Sequence, residues 1–180
     1  MISVAAPVHR LSVEDVLRMV EAGVLAENDR VELVEGVLVD MVPIGAEHED
    51  ALEWLTDHFA SVPGKTWRVR VQSMLLVAGG YVLPDLMLVS PTPRGTLPTT
   101  AQLVVEIAQT SHARDREKAR DYATAGVPEY WIIDLPARTV DVHRRPLTGA
   151  YEERATVTDG ASIKPLLADT PAVDLSALLG

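Results

Sequence analysis

The chain has 180 residues, of which 47% are hydrophobic and 23% charged, and its formal charge is −10. This composition is typical of a globular protein and excludes a disordered chain, and the length fits one domain spanning residues 1–180. The sequence contains no cysteine, which excludes a disulfide framework, a thiolate zinc site and a cysteine nucleophile. The acidic balance argues against a protein that coats nucleic acid, because non-specific binding to phosphate depends on basic residues.

The N-terminal residues MISVAAPVHR lack the basic start and the apolar stretch of a signal peptide. No apolar run approaches the ~18–20 residues that a membrane-spanning helix needs. We therefore expect a cytoplasmic protein.

The first predicted elements are a helix and a hairpin. The helix runs from about Val13 to Ala22, with Ser12 as N-cap, Asp15 as its capping-box partner and Gly23 as the C-terminal stop. In the following segment, VELVEGVLVDMV, two apolar-rich runs flank Glu35-Gly36, and this pattern predicts a β-hairpin with a tight turn.

A second helix is predicted from about Glu47 to Ala60, because Leu52, Leu55 and Phe59 recur at helical spacing. His48 lies four residues before Leu52 and therefore on the same inward stripe. Three strand-like segments follow, at Trp67–Val77, Tyr81–Val89 and Gln102–Ala108, the first two joined at Gly79-Gly80 as a hairpin. The third is almost continuously apolar, as expected for a central strand with both faces covered.

The last part of the chain contains a helix from about Arg114 to Ala125, which Gly126 and Pro128 end. Two strands, Tyr130–Asp134 and Thr139–His143, come next, and the tail from Tyr151 has weaker strand signals and an apolar DLSALL segment that we expect to pack on the core. The order of elements predicts an α/β or α+β fold, a mixed sheet flanked by helices.

Two carboxylates interrupt apolar runs of the predicted sheet. Glu106 lies within Leu103–Ile107 and Asp85 within Val82–Val89. A carboxylate in such a strand is costly to desolvate unless it is paired or bound to metal, and two on neighbouring strands repel each other. Mg²⁺ or Mn²⁺ would remove this repulsion. The alternatives are a strand-end carboxylate satisfied by backbone N–H groups or an arginine for Glu106, and an ordinary Pro-Asp turn for Asp85.

Three further candidates are weaker on spacing alone. Lys118 shares a helix face with Asp115 and Tyr122 and could reach the site, although the mixed-charge run DREKARD favours a solvent-exposed helix. An inward histidine such as His48 is more often a hydrogen-bonded core residue than a base. Strand alternation places Glu32 on the solvent face. The five histidines show no metal-type pairing, and the sequence has no phosphate-binding Gly-rich loop.

The sequence resembles the Uma2-like family within the PD-(D/E)xK nuclease superfamily. The matching segments are RVELVEG (30–36), the His48 region, LPDLMLV (83–89), LVVEI (103–107) and, most specifically, DREKARDYATAGVPEYWIID (115–134). The resemblance covers nearly the whole chain. It implies a restriction-endonuclease-like fold, with a mixed central β-sheet, flanking helices, an N-terminal helix and a β-hairpin.

The resemblance also implies site residues. Asp85 matches the PD element and Glu106 the acidic residue of the next strand, whereas Ala108 occupies the usual lysine position, so that Lys118 is the lysine expected to assist. Glu32 and His48 match positions that recur in the family. The stretch Ala-Gln-Thr-Ser after Glu106 departs from the family's usual Ser-Pro-Ser-Thr type of turn.

The implied function is a Mg²⁺- or Mn²⁺-dependent endonuclease that hydrolyses phosphodiester bonds in nucleic acid, with DNA the first candidate. The metal would be held by Asp85 and Glu106. A homodimer is expected, because cutting two strands conveniently uses two sites. Two alternatives stay open at this point: a catalytically inactive nuclease-fold module for interaction or assembly, and a metal-dependent hydrolase of a small substrate.

Overall fold

The computed structural model describes residues 8–26, 28–109 and 112–180, apart from the side chains of residues 112–117. In chain order its elements are α1 (Val13–Glu21), β1 (Val31–Val34), β2 (Val37–Asp40), α2 (Ala46–Ala60), β3 (Arg68–Val71), β4 (Leu75–Val77), β5 (Gly80–Val82), β6 (Leu86–Val89), β7 (Leu103–Ala108), α3 (His112–Thr124), β8 (Glu129–Asp134), β9 (Thr139–Leu147), β10 (Ala150–Thr158), β11 (Ser162–Ile163), β12 (Val173–Asp174) and α4 (Leu175–Leu178). Among these described elements, no helix is long and apolar enough to cross a membrane.

A six-stranded mixed sheet forms the centre, in the order β10-β9-β8-β7-β6-β3. Its neighbouring strands are antiparallel except for β7 and β8, which are parallel and connected through α3. A four-stranded antiparallel sheet has the order β2-β1-β5-β4, and β11 and β12 form a small separate pair. All six residues of β7 are buried, which confirms that this strand is central.

Helices cover both faces of the six-stranded sheet. One face packs against α2 and α4 in a single apolar cluster, in which Leu55 and Phe59 meet Leu175 and Leu178. The opposite face packs against α3, whose Tyr122 lies in a second cluster. The predicted mixed sheet flanked by helices is therefore confirmed, as is the packing of the apolar C-terminal segment on the core.

The predicted N-cap of α1 and the predicted turn of the β1–β2 hairpin are confirmed. Ser12 caps α1, and Asp15 completes the capping box by accepting from the backbone N–H of Ser12. The β1–β2 hairpin turns on Glu35 and Gly36, with φ values of 47° and 76°. Two successive positive φ values are the geometry that matches the right-handed twist of a hairpin.

The strand boundaries near the site differ from the prediction. Trp67–Val77 and Tyr81–Val89 are each two strands that belong to different sheets, separated at Gln72-Ser73 and at Pro84-Asp85. Gln72 has a φ of 44°, which breaks a strand, and Pro84 has no N–H to donate to a ladder. The predicted hairpin between β4 and β5 exists, but Val77 pairs with Gly80, so Gly80 already belongs to β5.

Gly80 allows β5 to approach β1 closely. A Cβ at this position would lie 1.8 Å from the carbonyl oxygen of Leu33. Leu33 of β1 pairs with Tyr81, the residue after Gly80 in β5. We expect Gly80→Ala to lower the free energy of unfolding by about 3 kcal/mol, because the two strands must separate. Urea denaturation measures the change. Gly160→Ala, which has a φ of 85° and no contact within 4 Å, is the control and should cost about 1–2 kcal/mol; equal losses would contradict the steric explanation.

Candidate active site

Asp85 and Glu106 lie at facing positions of neighbouring strands. The antiparallel register pairs Leu86 with Val105, so the next step of the same register sets Asp85 opposite Glu106. Residues directly opposite each other point to the same face of a sheet. Both carboxylates are buried, and the Asp85 Oδ2 atom accepts the backbone N–H of Ile107 at 2.9 Å. The two acidic residues that interrupt apolar runs are thus brought together.

His48 supports Asp85 from the first turn of α2. Its Nε2 atom lies 3.0 Å from Asp85 Oδ2, and the side chain is buried, as its position on the inward stripe predicted. Burial by itself would raise the pKa of Asp85, but the hydrogen bond and charge of His48 and the N–H of Ile107 hold it below its usual value. Asp85 is therefore a carboxylate at neutral pH.

Lys118 extends from α3 to the carboxylates of Glu32 and Glu106. Its Nζ atom lies 3.0 Å from Glu106 Oε1 and 3.0 Å from Glu32 Oε1, and only 8% of the residue is exposed. The alternative of a solvent-exposed lysine is therefore wrong. Burial by itself would lower the pKa of Lys118, but the charges of Glu106 and Glu32 raise it above its ordinary value.

Glu32 corrects the prediction made from strand alternation, which placed it on the solvent face. The residue is fully buried. Both sides of β1 are covered, since Leu33 packs against Val16 of α1 on one side and Glu32 meets Lys118 of α3 on the other. Alternation of polar and apolar residues along a strand identifies a solvent-exposed face only when one face of the sheet is open to solvent. Glu32 Oε1 also accepts the backbone N–H of Leu83 at 3.0 Å.

Tyr122 also contacts the buried carboxylates. The sequence places it on the same helix face as Lys118 but assigns it no role. Its hydroxyl lies 2.5 Å from Glu106 Oε1 and is fully buried. Burial, together with the charge of Glu106, raises the pKa of Tyr122 far above its ordinary value, so the hydroxyl stays protonated and donates. The spacing of four residues from Lys118 was the available signal.

The side chains present fit a divalent cation. The site contains three buried carboxylates, those of Glu32, Asp85 and Glu106, and one buried ammonium, that of Lys118, which pairs with Glu32 and Glu106. The described residues contain no group of three or more His, Asp or Glu side chains arranged to hold a metal ion. Mg²⁺ needs fewer, because it usually binds one or two carboxylates and completes its coordination with water and substrate phosphate. The Oδ1 atom of Asp85 accepts no hydrogen bond from any described residue and has the hard-oxygen chemistry that Mg²⁺ prefers.

A family model described as "Uma2: Putative restriction endonuclease" matches residues 13–175. This chain belongs to the Uma2 family. Among proteins with curated descriptions, none matches it.

A solved structure shares the fold of this Uma2 chain. A putative nuclease belonging to DUF820 from Anabaena variabilis ATCC 29413 has a TM-score of 0.78 and 16% sequence identity, over 94% of this chain and 97% of that one. The type IIG restriction endonuclease BpuSI has a TM-score of 0.40 and 16% identity, over 62% of this chain and 13% of its own, which is too distant to support an argument. The restriction-endonuclease-like fold is thus confirmed.

Two predicted features of the Uma2 site lie partly outside the described residues. Ala108, which the sequence resemblance aligns with a lysine position of the nuclease superfamily, is buried at the end of β7. The departing turn that follows it includes residues 110 and 111, and the side chain of Asp115 belongs to the same undescribed part.

Glu129 is another buried carboxylate of this Uma2 chain, and the sequence analysis missed it. Its Oε1 atom accepts from Arg144 at 2.7 and 2.9 Å and from the Trp131 indole at 2.9 Å, while Oε2 accepts the N–H of Leu166. Glu129 and Arg144 lie 15 residues apart on two different strands, so no local sequence pattern predicts that they pair. These contacts join β8, β9 and the tail.

We expect Glu129→Gln to lower the free energy of unfolding by about 2–3 kcal/mol. Breaking a buried ion pair costs about 3–5 kcal/mol, and partial exposure of Arg144 reduces that figure. Chemical denaturation measures the loss. An unchanged midpoint would show that the pair contributes nothing to stability.

Proposed function

We propose that this protein is a metal-dependent endonuclease that hydrolyses phosphodiester bonds in nucleic acid, with DNA the first candidate. One observation carries the proposal: Asp85 and Glu106 face each other on neighbouring strands, and Lys118 from the following helix reaches Glu106 at 3.0 Å. Membership in the family described as "Putative restriction endonuclease" supports the same chemistry.

Asp85 and Glu106 would hold Mg²⁺ or Mn²⁺. When bound, such an ion lowers the pKa of a coordinated water and offsets negative charge on the scissile phosphate. Both carboxylates are held in place before any ligand binds. Asp85 is anchored by His48 and by the Ile107 N–H, and Glu106 is anchored by Lys118 and Tyr122.

Lys118 would act on the phosphate through its ammonium group. A buried cation close to the reacting phosphate can orient the attacking water and stabilise the negative charge that develops in the transition state. Glu32 and Tyr122 would serve as positioning residues, since Glu32 contacts the Lys118 ammonium and Tyr122 contacts Glu106. His48 would position Asp85 in the same way. We further propose that the protein acts as a homodimer, which would bring two sites to a duplex; light scattering tests this directly.

Cleavage of a sequence-diverse substrate tests the proposal. Random-sequence DNA duplexes, DNA single strands and RNA are incubated separately with wild-type protein and Mn²⁺ or Mg²⁺, with Asp85→Asn prepared in parallel as the control for contaminating nucleases. We expect fragments from at least one substrate with wild type and none with Asp85→Asn. Fragments from neither protein, or equal amounts from both, would contradict the proposal. The first of these results would favour the inactive module or the small-substrate hydrolase.

A further inference from the structure

Acidic residues are almost absent from one long segment of this acidic chain. Residues 58–105 contain a single one, Asp85, whereas the whole chain contains 26. The same segment contains four basic residues, Lys65, Arg68, Arg70 and Arg94. The segment is therefore locally positive, and the rest of the chain is more negative than the net charge of −10 suggests. A charge asymmetry of this kind indicates contact with a polyanion.

Two of these arginines lie on an edge strand. β3 is the outermost strand of the six-stranded sheet and pairs with β6. Arg68 and Arg70 project from one face of β3, because side chains alternate along a strand. Val69 projects from the other face, into the apolar cluster to which α2 contributes. The two arginines thus lie on the face away from α2 and its exposed acidic residues.

A third arginine extends this positive surface. The Nη2 atom of Arg70 donates to Thr92 Oγ1 at 3.1 Å, which holds the connection between β6 and β7 against β3. Arg94 follows two residues after Thr92 and is exposed, as is Arg68. We call Arg68, Arg70 and Arg94 the basic edge.

The basic edge keeps its charge free for an external anion. Within the described part of the chain, none of its three arginines forms an ion pair. Arginines elsewhere do, since Arg138 and Arg144 each lie 2.7 Å from a carboxylate oxygen. The phosphate groups of nucleic acids are the targets of about half or more of the hydrogen bonds that DNA-binding proteins make, and arginine is a principal donor.

The basic edge adjoins the proposed catalytic centre. The backbone N–H of Gln72 donates to the carbonyl oxygen of Asp85 at 3.1 Å, so the pairing of β3 with β6 continues as far as Asp85. Arg70 lies opposite Met87, two residues after Asp85, and therefore faces the same side of the sheet as Asp85.

The spacing along β3 suits a nucleic-acid strand. Arg70 and Arg68 lie about 7 and 14 Å along the strand from Gln72, the residue paired with Asp85. Each nucleotide of a duplex strand advances about 3.4 Å along the helix axis. These distances correspond to phosphates about two and four nucleotides away from the one at the catalytic centre.

We propose that the basic edge binds the phosphate backbone of the substrate nucleic acid, beside the phosphate that is cleaved. This inference rests on the proposed function for the position of the scissile phosphate. Contacts between arginine and phosphate position a nucleic acid without reading its sequence. The negative charge of the rest of the protein would direct the substrate to this edge.

Salt-dependent binding of random-sequence nucleic acid tests the inference. A labelled DNA duplex, a DNA single strand and RNA are titrated separately with wild-type protein without divalent metal, and fluorescence anisotropy gives Kd at several salt concentrations. We expect wild type to bind at least one of them. The double substitution Arg68→Gln and Arg94→Gln should weaken that binding about ten-fold. It should also reduce the slope of log K against log salt by about 1.5–2, because each phosphate contact contributes about 0.7–0.9.

Matched variants make the result specific. Arg154→Gln removes an exposed arginine from β10, the opposite edge of the same sheet, and should bind like wild type. Replacing Arg68 and Arg94 by lysine keeps the charge and should keep the wild-type slope, since lysine binds phosphate as a point charge. Circular dichroism checks that every variant is folded.

Four results would overturn the inference. These are no binding by wild type, a wild-type slope in the double glutamine variant, an equal loss of affinity in Arg154→Gln, and binding to vesicles of phosphatidylserine in place of nucleic acid. The last result would identify a membrane surface as the partner.

The two proposals can fail separately. Binding without metal does not need the metal ligands, so Glu106→Gln should bind nucleic acid at least as tightly as wild type. Binding that depends on the basic edge, in a protein that cleaves nothing with Mn²⁺ or Mg²⁺, would support the surface and overturn the proposed function. Cleavage with the same rate and salt dependence in wild type and in the double glutamine variant would support the function and overturn the surface.

Discussion

Lys118→Met will lower the free energy of unfolding by about 3–5 kcal/mol when no divalent metal is present, because it leaves buried carboxylates without their cation. The ammonium lies 3.0 Å from both Glu32 and Glu106, and methionine fills similar space without the charge. The loss is a large part of the usual stability of a domain, about 5–15 kcal/mol. Urea denaturation in the presence of a chelator measures it.

Two comparisons identify the cause of this loss. Arg120→Met removes a positive charge from an exposed position of the same helix and should change stability by no more than about 0.5 kcal/mol. Millimolar Mn²⁺ should restore part of the stability of Lys118→Met, because a bound cation would again neutralise the carboxylates. If Lys118→Met were as stable as wild type in chelator, the charge balance described here would be wrong.

Glu106→Gln will separate activity from stability. A glutamine Oε1 atom can still accept from Lys118 and Tyr122, whose donors lie 3.0 and 2.5 Å from the glutamate oxygen. Lys118 also keeps the Glu32 carboxylate as its buried counter-charge, so stability should change by less than about 1 kcal/mol. Cleavage should fall about 10³-fold or more, since loss of a metal ligand removes several kcal/mol of transition-state stabilisation. Initial rates on any substrate found in the random-sequence assay measure the change.

Glu129→Gln is the matched control for this result, because Glu129 is also fully buried and also hydrogen-bonded. It should show the opposite behaviour, with a loss of stability and an unchanged rate per folded molecule. A wild-type rate for Glu106→Gln, or an equal loss of rate in both variants, would contradict the assignment of Glu106 to the site.

Much of the architecture was predictable because local signals and burial agree along most of the chain. The capping box at Ser12 and Asp15, the positive-φ turn at Glu35-Gly36 and the apolar run of β7 each have a direct structural counterpart. The carboxylates Asp85 and Glu106 were recognisable because charge in an apolar strand is rare without a partner.

The remaining features depend on tertiary contacts that no local pattern contains. Strand alternation predicts that Glu32 is exposed to solvent, but α3 covers its side of β1 and Lys118 contacts it. Lys118 lies in a run of mixed charge, and only the family resemblance raised it above a surface lysine. The Glu129–Arg144 pair likewise becomes visible only when distant segments meet.

Calorimetric titration of Mn²⁺ and Mg²⁺ into wild type, Asp85→Asn and Glu106→Gln tests the central claim, that these carboxylates form a metal site. It needs no knowledge of the substrate's sequence. We predict that wild type binds about one or two ions per chain and that either substitution abolishes binding, while Glu129→Gln, examined under conditions where it is folded, binds like wild type. Absence of binding by wild type in the millimolar range, or unchanged binding by both site variants, would contradict the claim.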